Sequence, residues 1–215
     1  MTPIRILIAD DHEVVREGVR TVLEGQPGWV VCGEASTGRE AVAKALDLRP
    51  DVVVLDVSMP ELNGLEAARQ IRRVVPAKIL VLTVHESDQV VTEALDAGAD
   101  GYVLKTDAGR KLVEAIRALL LHQEFFTEQV RAVATRSAGR RRGPRLRRGP
   151  GRLTPRQREV LQFLTEGKSN KEIGAALGMT TKTAETHRTQ IMAKLNLHSM
   201  SALMRYAIRN GIIEP

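Results

Sequence analysis

The sequence predicts two successive folds: an α/β unit on a five-stranded, doubly wound parallel sheet, then a small all-α unit of four helices. Three observations predict this. Across residues 1–121, short apolar runs alternate five times with segments of helical apolar spacing, the pattern of a parallel sheet covered on both faces. Residues 152–215 instead hold short amphipathic segments punctuated by capping residues and glycines. Charge changes sign between the two: residues 1–130 hold 14 Lys+Arg against 21 Asp+Glu, net −7, and residues 131–215 hold 18 against 5, net +13. Only the second part is therefore expected to meet a polyanion.

The elements follow in order. Ile4 to Ala9 is an apolar run ending in Asp10-Asp11, before Val15, Val19 and Val22 at helical spacing. Trp29 to Ala35 is a second strand, with a helix from Gly38 to Leu48. Val52 to Asp56 reads VVVLD, a buried strand that closes on a carboxylate, and a helix follows near Gly64 to Val74. Lys78 to Thr83 and Asp88 to Ala97 make the fourth pair. Gly101 to Lys105 is the fifth strand, and Leu112, Ile116 and Leu119 mark the fifth helix. Glu124 to Ala134 reads as an extension of that helix or a short helix of its own.

Composition narrows the function classes. At 215 residues and 43% apolar the chain can bury the cores of two ordinary domains. No apolar run approaches the roughly 18 residues that span a bilayer, and the N-terminus lacks the order of a secretory signal, so a cytoplasmic protein without membrane contact is expected. Cys32 is the only cysteine, which excludes an intramolecular disulfide and a cysteine-rich zinc site and leaves the role of a small buried hydrophobe. Aromatics at 3% argue against a stacking platform for single strands.

In open parallel sheets the chemistry lies outside the carboxyl ends of the strands. Those ends offer Asp10 and Asp11, Asp56, Thr83 and Lys105. Three carboxylates together repel one another and raise each other's pKa unless a cation sits among them. A hard divalent ion, Mg²⁺, answers that problem with oxygen ligands. Lys105 adds a fixed positive charge and Thr83 a hydroxyl, a set suited to a phosphoryl group arriving on a carboxylate. Each residue also has a plainer role: Asp56 could begin a turn, Asp10 or Asp11 could cap a helix, and Thr83 and Lys105 could be ordinary strand and surface residues.

Asp10-Asp11, Asp56, the segment Met59-Pro60-Glu61-Leu62-Asn63-Gly64, Thr83 and GYVLK from Gly101 to Lys105 together resemble the receiver domain of two-component response regulators, a flavodoxin-like fold. The resemblance covers roughly residues 3–121. It implies that Asp56 accepts a phosphoryl group from a phosphohistidine of a sensor histidine kinase. It further implies that Asp11, Asp56 and the backbone carbonyl of Ser58 hold Mg²⁺ with Asp10 assisting, and that Lys105 and Thr83 bind the phosphoryl oxygens. Tyr102 is then the switch aromatic, turning into space that Thr83 vacates; it could equally be a half-buried strand residue. Ser58 and His85 would control the lifetime of the phosphoryl group. Thr106 departs from the proline usual after the lysine.

Residues 122–151 form the expected linker. Its second part, GRRRGPRLRRGPGR, cannot bury a core and is either a solvated tether or a source of extra phosphate contacts. Beyond it, Thr154-Pro155-Arg156-Gln157 starts a helix that runs to Glu166 and stops at Gly167, and Ser169-Asn170-Lys171-Glu172 is a capping box opening a second that ends at Gly178. A third helix places Ala184, Ile191 and Leu195 on one side, with Lys182, Glu185, Thr186 and Thr189 outward. A fourth lies near Ser199 to Asn210. Two short helices joined through a glycine turn form a helix-turn-helix, although such a unit could also be a protein-interaction module.

LTPRQREVL, SNKEIGAALGMTTKTAETH and IMAKL resemble the LuxR-type output domain of NarL/FixJ-class regulators over about residues 152–213, with Ala184 where valine is usual. The resemblance implies a recognition helix from Thr181 to Leu195 in which Glu185, Thr186 and Thr189 face bases. Lys182, Arg188 and Lys194 meet phosphates, and His187 packs or contacts a phosphate. It places a dimer surface on the last helix, with Leu203 and Tyr206, although Leu203 could simply be core. The whole chain is thus expected to be a transcriptional regulator, not an enzyme beyond its own phosphoryl chemistry. Its expected partners are a sensor kinase, promoter DNA and a second copy of itself, with RNA polymerase a further candidate. A phosphotransfer enzyme of the haloacid-dehalogenase type would need an Asp-x-Asp at the end of the first strand, which is absent. A receiver that has lost phosphorylation is disfavoured by the intact acidic pair, Asp56, Thr83 and Lys105.

Overall fold

The computed structural model describes residues 2–85, 87–127, 130, 132, 153–210 and 212–213. Chain contacts divide it into two units, Met1–Arg140 and Arg141–Pro215. In the first, β1 (Ile4–Ala9), α1 (Glu13–Glu24), β2 (Trp29–Ala35), α2 (Gly38–Leu48), β3 (Val52–Leu55), α3 (Gly64–Val74), β4 (Lys78–Thr83), α4 (Asp88–Ala97), β5 (Gly101–Leu104) and α5 (Ala108–Leu120) alternate. The strands are parallel in the order β2-β1-β3-β4-β5. From β1 the chain steps out to β2 and returns on the other side as β3, so a crevice opens between the carboxyl ends of β1 and β3.

Alternation along the strands fills two cores. Ile6 and Ile8 of β1, Val52 and Val54 of β3, and Leu80 and Leu82 of β4 pack with Val19 and Leu23 of α1 and Leu112, Ile116 and Leu119 of α5. Their neighbours Leu7, Ala9, Val53, Leu55, Ile79 and Val81 face the opposite way, onto Ala41, Ala45, Leu65, Ala68, Ile71, Val90 and Ala94 of α2, α3 and α4. β3 is buried on both faces, which is why its sequence shows no polar alternation. Cys32 lies on the outer strand β2, only half-buried, with Sγ 3.4 Å from the Ile6 carbonyl oxygen. The expectation of a buried hydrophobe there is corrected, because among the described residues no strand pairs with the far side of β2.

Register carries the acidic residues to one place. Ala9 pairs with Leu55, so Asp10 and Asp56 are the next residues beyond matched strand ends, and the Asp56 amide donates to the Ala9 carbonyl at 2.8 Å. The loop from Val57 to Asn63 is clamped by two glycines. A methyl on Gly64 would stand 1.7 Å from the Asp56 carbonyl oxygen, and one on Gly38 would stand 1.9 Å from the Leu62 carbonyl oxygen. Backbone meets backbone at both points, so no side chain can yield.

The expected extension of α5 through Glu124 is corrected, whereas the alternative of a short separate helix agrees with the helical backbone at Val130 and Ala132. α5 ends at Leu120, His122 takes a left-handed φ of 58°, and Phe125 forms a parallel bridge with Gly101 on the outer edge of β5. The physical reason is that β5 offers unpaired edge amides and two core rims. The Phe125 ring packs against the core under α5, and that of Phe126 against the core on the other face. β5 itself stops at Leu104, and Lys105 opens a 3-10 turn to Asp107.

In the second unit, α6 (Pro155–Thr165), α7 (Asn170–Leu177), α8 (Thr181–Leu195) and α9 (Met200–Arg209) surround a core of Val160, Leu161, Leu164, Ile173, Ala184, Ile191 and Ala207. Capping boxes are formed at Thr154 with Gln157 and at Ser169 with Glu172, and Thr180 and Ser199 cap α8 and α9. Gly178 turns the chain at a φ of 62°, and a methyl on Gly174 would stand 2.8 Å from the Met179 carbonyl oxygen, so α7 and its turn pack backbone to backbone. Leu203 is 0% exposed in this core, so it does not form a dimer surface; Tyr206 is half-buried against the same core, and Met200 is the exposed apolar residue of α9. The arginine-rich part of the linker, 136–152, lies outside the described residues apart from its sequence.

Two glycine substitutions should differ in their effect on stability. Gly64→Ala should lower the urea midpoint by the equivalent of about 1–3 kcal/mol, since the added methyl collides with backbone. Gly18→Ala, where a methyl within α1 meets nothing within 4 Å, should leave stability unchanged or raise it by up to about 1 kcal/mol through helix propensity.

Candidate functional site

The crevice is lined from both strand ends. Asp10 and Asp56 are 2% and 1% exposed. Lys105 reaches in from the end of β5, its Nζ 2.8 Å from Asp10 Oδ2 and 3.2 Å from Asp56 Oδ2. The contact is ionic: neither oxygen accepts a well-directed hydrogen bond, and Asp56 Oδ1, also buried, has no partner. Asp11 sits more openly at the rim. His12, the residue before α1, turns back so that its Nδ1 lies 2.9 Å from Asp11 Oδ1 and 3.2 Å from Asp10 Oδ1. Ligand atoms of Asp10, Asp11, His12 and Asp56 all fall within 4.8 Å of one another. Two buried carboxylates with unsatisfied oxygens, Asp10 and Asp56, and the more exposed Asp11 beside them are a donor set suited to a hard divalent cation.

A second layer crosses the mouth. His85 Nε2 pairs with Ser58 Oγ at 2.8 Å, and the His85 amide donates to Thr83 Oγ1 at 3.2 Å. The Tyr102 hydroxyl donates to the His85 carbonyl at 2.5 Å. Tyr102 is 2% exposed, so its ring already lies inside, and the expected half-buried strand position is corrected. The backbone of Asp10 is held from below, where Arg16 Nη1 donates to its carbonyl at 2.8 Å while Arg16 Nε lies 3.4 Å from Glu34 Oε2.

The helical unit presents α8 outward. Only Ala184 and Ile191 of this helix are fully buried. Lys182, Glu185, Thr186, Arg188, Thr189 and Lys194 are exposed and His187 is half-buried, with a buried Nδ1 that has no partner. Lys182 pairs with Glu185 at 3.0 Å, and the Thr186 and Thr189 hydroxyls donate to the carbonyls of Lys182 and Glu185. Lys194 Nζ donates to Gln157 Oε1 at 2.8 Å, tying α8 to α6. A helix-turn-helix with an exposed, polar second helix has the shape that enters a DNA major groove.

Comparison with known proteins agrees with both halves. The family described as response regulator receiver domain matches residues 6–117, and that described as bacterial regulatory proteins, luxR family, matches residues 152–207. The response regulator protein VraR of Staphylococcus aureus is 36% identical over 212 residues, covering 98% of this chain and 99% of VraR. The chain belongs to the response regulators. RcsB from Salmonella enterica serovar Typhimurium, solved bound to promoter rprA with the phosphomimetic BeF3−, is 30% identical with a TM-score of 0.65, over 95% of this chain and 98% of that one. A structure of two RcsB dimers bound to two parallel DNAs is 28% identical with a TM-score of 0.58, over 97% of this chain and 99% of that one.

In this response regulator the structure brings Asp10, Asp11, Asp56 and Lys105 into one cluster, and links Ser58, Thr83 and Tyr102 to each other through His85. Sequence reasoning missed His12 and Arg16. The signal for His12 was its place directly after the acidic pair, and for Arg16 its place one helical turn further on, where α1 passes back under the strand end. Ala184 is wholly buried, so its departure from valine concerns packing beneath α8 and leaves the exposed face untouched. Among the described residues no helix is long and apolar enough to cross a membrane.

Burial pushes the Asp56 pKa up to about 7; Lys105 draws it down, Asp10 draws it up, and burial prevails. For Lys105, burial acts to lower the pKa, but the Asp56 and Asp10 carboxylates outweigh it and the ammonium is held above its usual value. Partial burial likewise opposes protonation of His12, yet Asp11 and Asp10 raise its pKa overall. The Asp56 shift gives stability a slope. The native state keeps a proton up to about pH 7 that the unfolded chain releases near its ordinary value of about 4, so this group's contribution falls as pH rises through that window. In chelator, Asp56→Asn should therefore gain on wild type from pH 4 to pH 7 and exceed it at pH 8 by on the order of a few kcal/mol, read from urea midpoints.

Proposed function

We propose that this protein is a phosphorylation-dependent transcriptional regulator in which Asp56 accepts a phosphoryl group from a sensor histidine kinase and the helical unit then binds promoter DNA. The observation that supports it most is a nearly inaccessible carboxylate with an unpartnered oxygen, set between a second buried aspartate and a lysine in the crevice of a doubly wound sheet.

The chemistry follows from these groups. An Asp56 oxygen attacks the phosphorus of the phosphohistidine, a P–O bond forms as the P–N bond breaks, and the imidazole departs with its electron pair and takes up a proton. Lys105 already faces the nucleophile and is placed to neutralise a phosphoryl oxygen, while the Thr83 hydroxyl can donate to another. Asp10, Asp11, Asp56 and the Ser58 backbone carbonyl would hold Mg²⁺, which supplies positive charge to the incoming phosphoryl oxygens. The protein catalyses only its own phosphorylation and dephosphorylation. Ser58 and His85, bonded across the mouth, control access of water to the acyl phosphate and so its lifetime.

The output follows from charge and exposure. Glu185, Thr186 and Thr189 face base edges, Glu185 exchanging its Lys182 pairing for a cytosine amino group, and Lys182, Arg188, His187 and Lys194 contact phosphates. Two copies bind two half-sites, as the dimeric RcsB assembly on DNA encourages, and at the promoter RNA polymerase is the machinery acted upon. The regulator works in the cytoplasm.

With Mg²⁺ and a small acyl phosphate, DNA affinity should rise in the wild type and stay unchanged in Asp56→Ala; an equal response of both proteins would refute phosphorylation at Asp56 as the switch. Arg188→Ala should weaken binding to all sequences alike and reduce the log–log salt slope by about 1, whereas Glu185→Ala should relax preference at one base pair.

A further inference from the structure

We propose that the His12 imidazole is a cation ligand of the acidic pocket, and that its nitrogen turns the preference of the site from Mg²⁺ toward a divalent first-row transition ion of the Mn²⁺ or Co²⁺ kind. The inference rests on the cation reading of that pocket and is independent of phosphoryl transfer.

The chain itself sets the position of the ring. His12 precedes α1 in an extended conformation, φ −86° and ψ 111°, and its side chain caps none of the helix amides. It turns instead over the end of β1. Its backbone amide donates to Asp10 Oδ1 at 2.9 Å, while Nδ1 lies 2.9 Å from Asp11 Oδ1 and 3.2 Å from Asp10 Oδ1. Neighbouring ligands on one ion with bonds of about 2.1 Å stand roughly 3 Å apart, and opposite ligands about 4.2 Å. The ligand atoms of Asp10, Asp11, His12 and Asp56 all lie within 4.8 Å of one another, so small side-chain shifts bring Nδ1 and the carboxylate oxygens to one centre.

The other groups of the pocket leave that centre to an ion. Asp10 Oδ1 is engaged by the His12 amide and Oδ2 faces Lys105 Nζ at 2.8 Å. Lys105 also approaches Asp56 Oδ2, at 3.2 Å, whereas Asp56 Oδ1 is buried and has no hydrogen-bond partner. Asp11 and His12 stand at the rim with 33% and 48% of their side chains exposed, so an ion meets them first on entering from solvent. Mg²⁺ takes oxygen ligands and keeps several waters, and it gains little from a ring nitrogen; imidazole suits the transition ions. With Nε2 carrying the ring hydrogen, Nδ1 offers its lone pair, and the ion displaces the hydrogen otherwise shared between Nδ1 and the Asp11 carboxylate. Three carboxylates alone would attract either class of ion; the nitrogen discriminates.

Titration calorimetry of the full chain with Mg²⁺ and with Mn²⁺ tests this, together with electron spin-echo spectroscopy of bound Mn²⁺, in which a directly ligated nitrogen modulates the echo. Wild type should show the nitrogen modulation. His12→Ala, which keeps the backbone amide that Asp10 accepts, should lose the modulation and about tenfold or more of the Mn²⁺ affinity, with Mg²⁺ affinity within about twofold of wild type. His12→Gln, which retains a hydrogen-bonding side chain but no imidazole, should behave as His12→Ala does. Mn²⁺ and Mg²⁺ affinities that change together in His12→Ala, Mn²⁺ affinity recovered in His12→Gln, or modulation absent from wild type or persisting in His12→Ala would each overturn the assignment. A wild type that binds neither ion refutes the cation reading of the pocket as well, whereas Mg²⁺ binding with no effect of His12 on Mn²⁺ refutes the nitrogen ligand alone.

Discussion

Two carboxylates buried side by side, with one ammonium between them, constrain the rest of the receiver unit. Asp10 and Asp56 cannot both ionise comfortably in so dry a crevice, and Lys105 relieves only part of the cost because its contacts to them are poorly directed. The folded protein therefore holds an electrostatic deficit that its ligands can remove. On the proposed function, a cation placed among the oxygens would lower it from one side, and conversion of Asp56 to an acyl phosphate would change it from the other. What would be a flaw in a purely structural domain is, on the proposed function, the source of a response.

Such a deficit persists only if the surrounding chain cannot relax around it. β3 is locked on both faces by apolar neighbours, and Asp56 is the first residue after it. Gly64 and Gly38 let α3 and α2 press on the loop backbone so closely that neither tolerates a methyl without displacement. Arg16 fixes the Asp10 carbonyl from α1. The same rigidity leaves a change at Asp56 little room to be absorbed locally. In the DNA-binding unit the division of labour is similar: Ala184 and Ile191 seat α8, Lys194 ties it to α6, and the exposed face is left free for reading.

Much of this was legible in the residues. VVVLD announces a doubly covered strand ending in an acid, and the matching ends at Asp10, Thr83 and Lys105 follow from strand alternation alone. The first two helix starts of the second unit are equally plain, since Thr154 and Ser169 each cap as their spacing suggests. Contacts across the sequence were not legible. Ser58 and His85 are 27 residues apart and meet only because β3 and β4 are neighbours. Phe125 and Phe126 sit in a polar stretch whose helical spacing concealed an isolated bridge to the sheet edge, because local propensity carries no record of the unpaired amides on β5. Leu203 fits a core and an interface equally well by periodicity, and only the packed unit decides for the core.

On the proposed function, the Asp56 pocket is an electrostatic deficit that a divalent cation completes. The most direct test is the urea midpoint of wild type and Asp56→Asn at pH 8 with and without Mg²⁺, since a ligand that binds only the folded state raises stability by mass action. The prediction is that Mg²⁺ raises the wild-type midpoint and leaves Asp56→Asn, already more stable, nearly unmoved. An equal shift in both proteins, or none in the wild type, would contradict it.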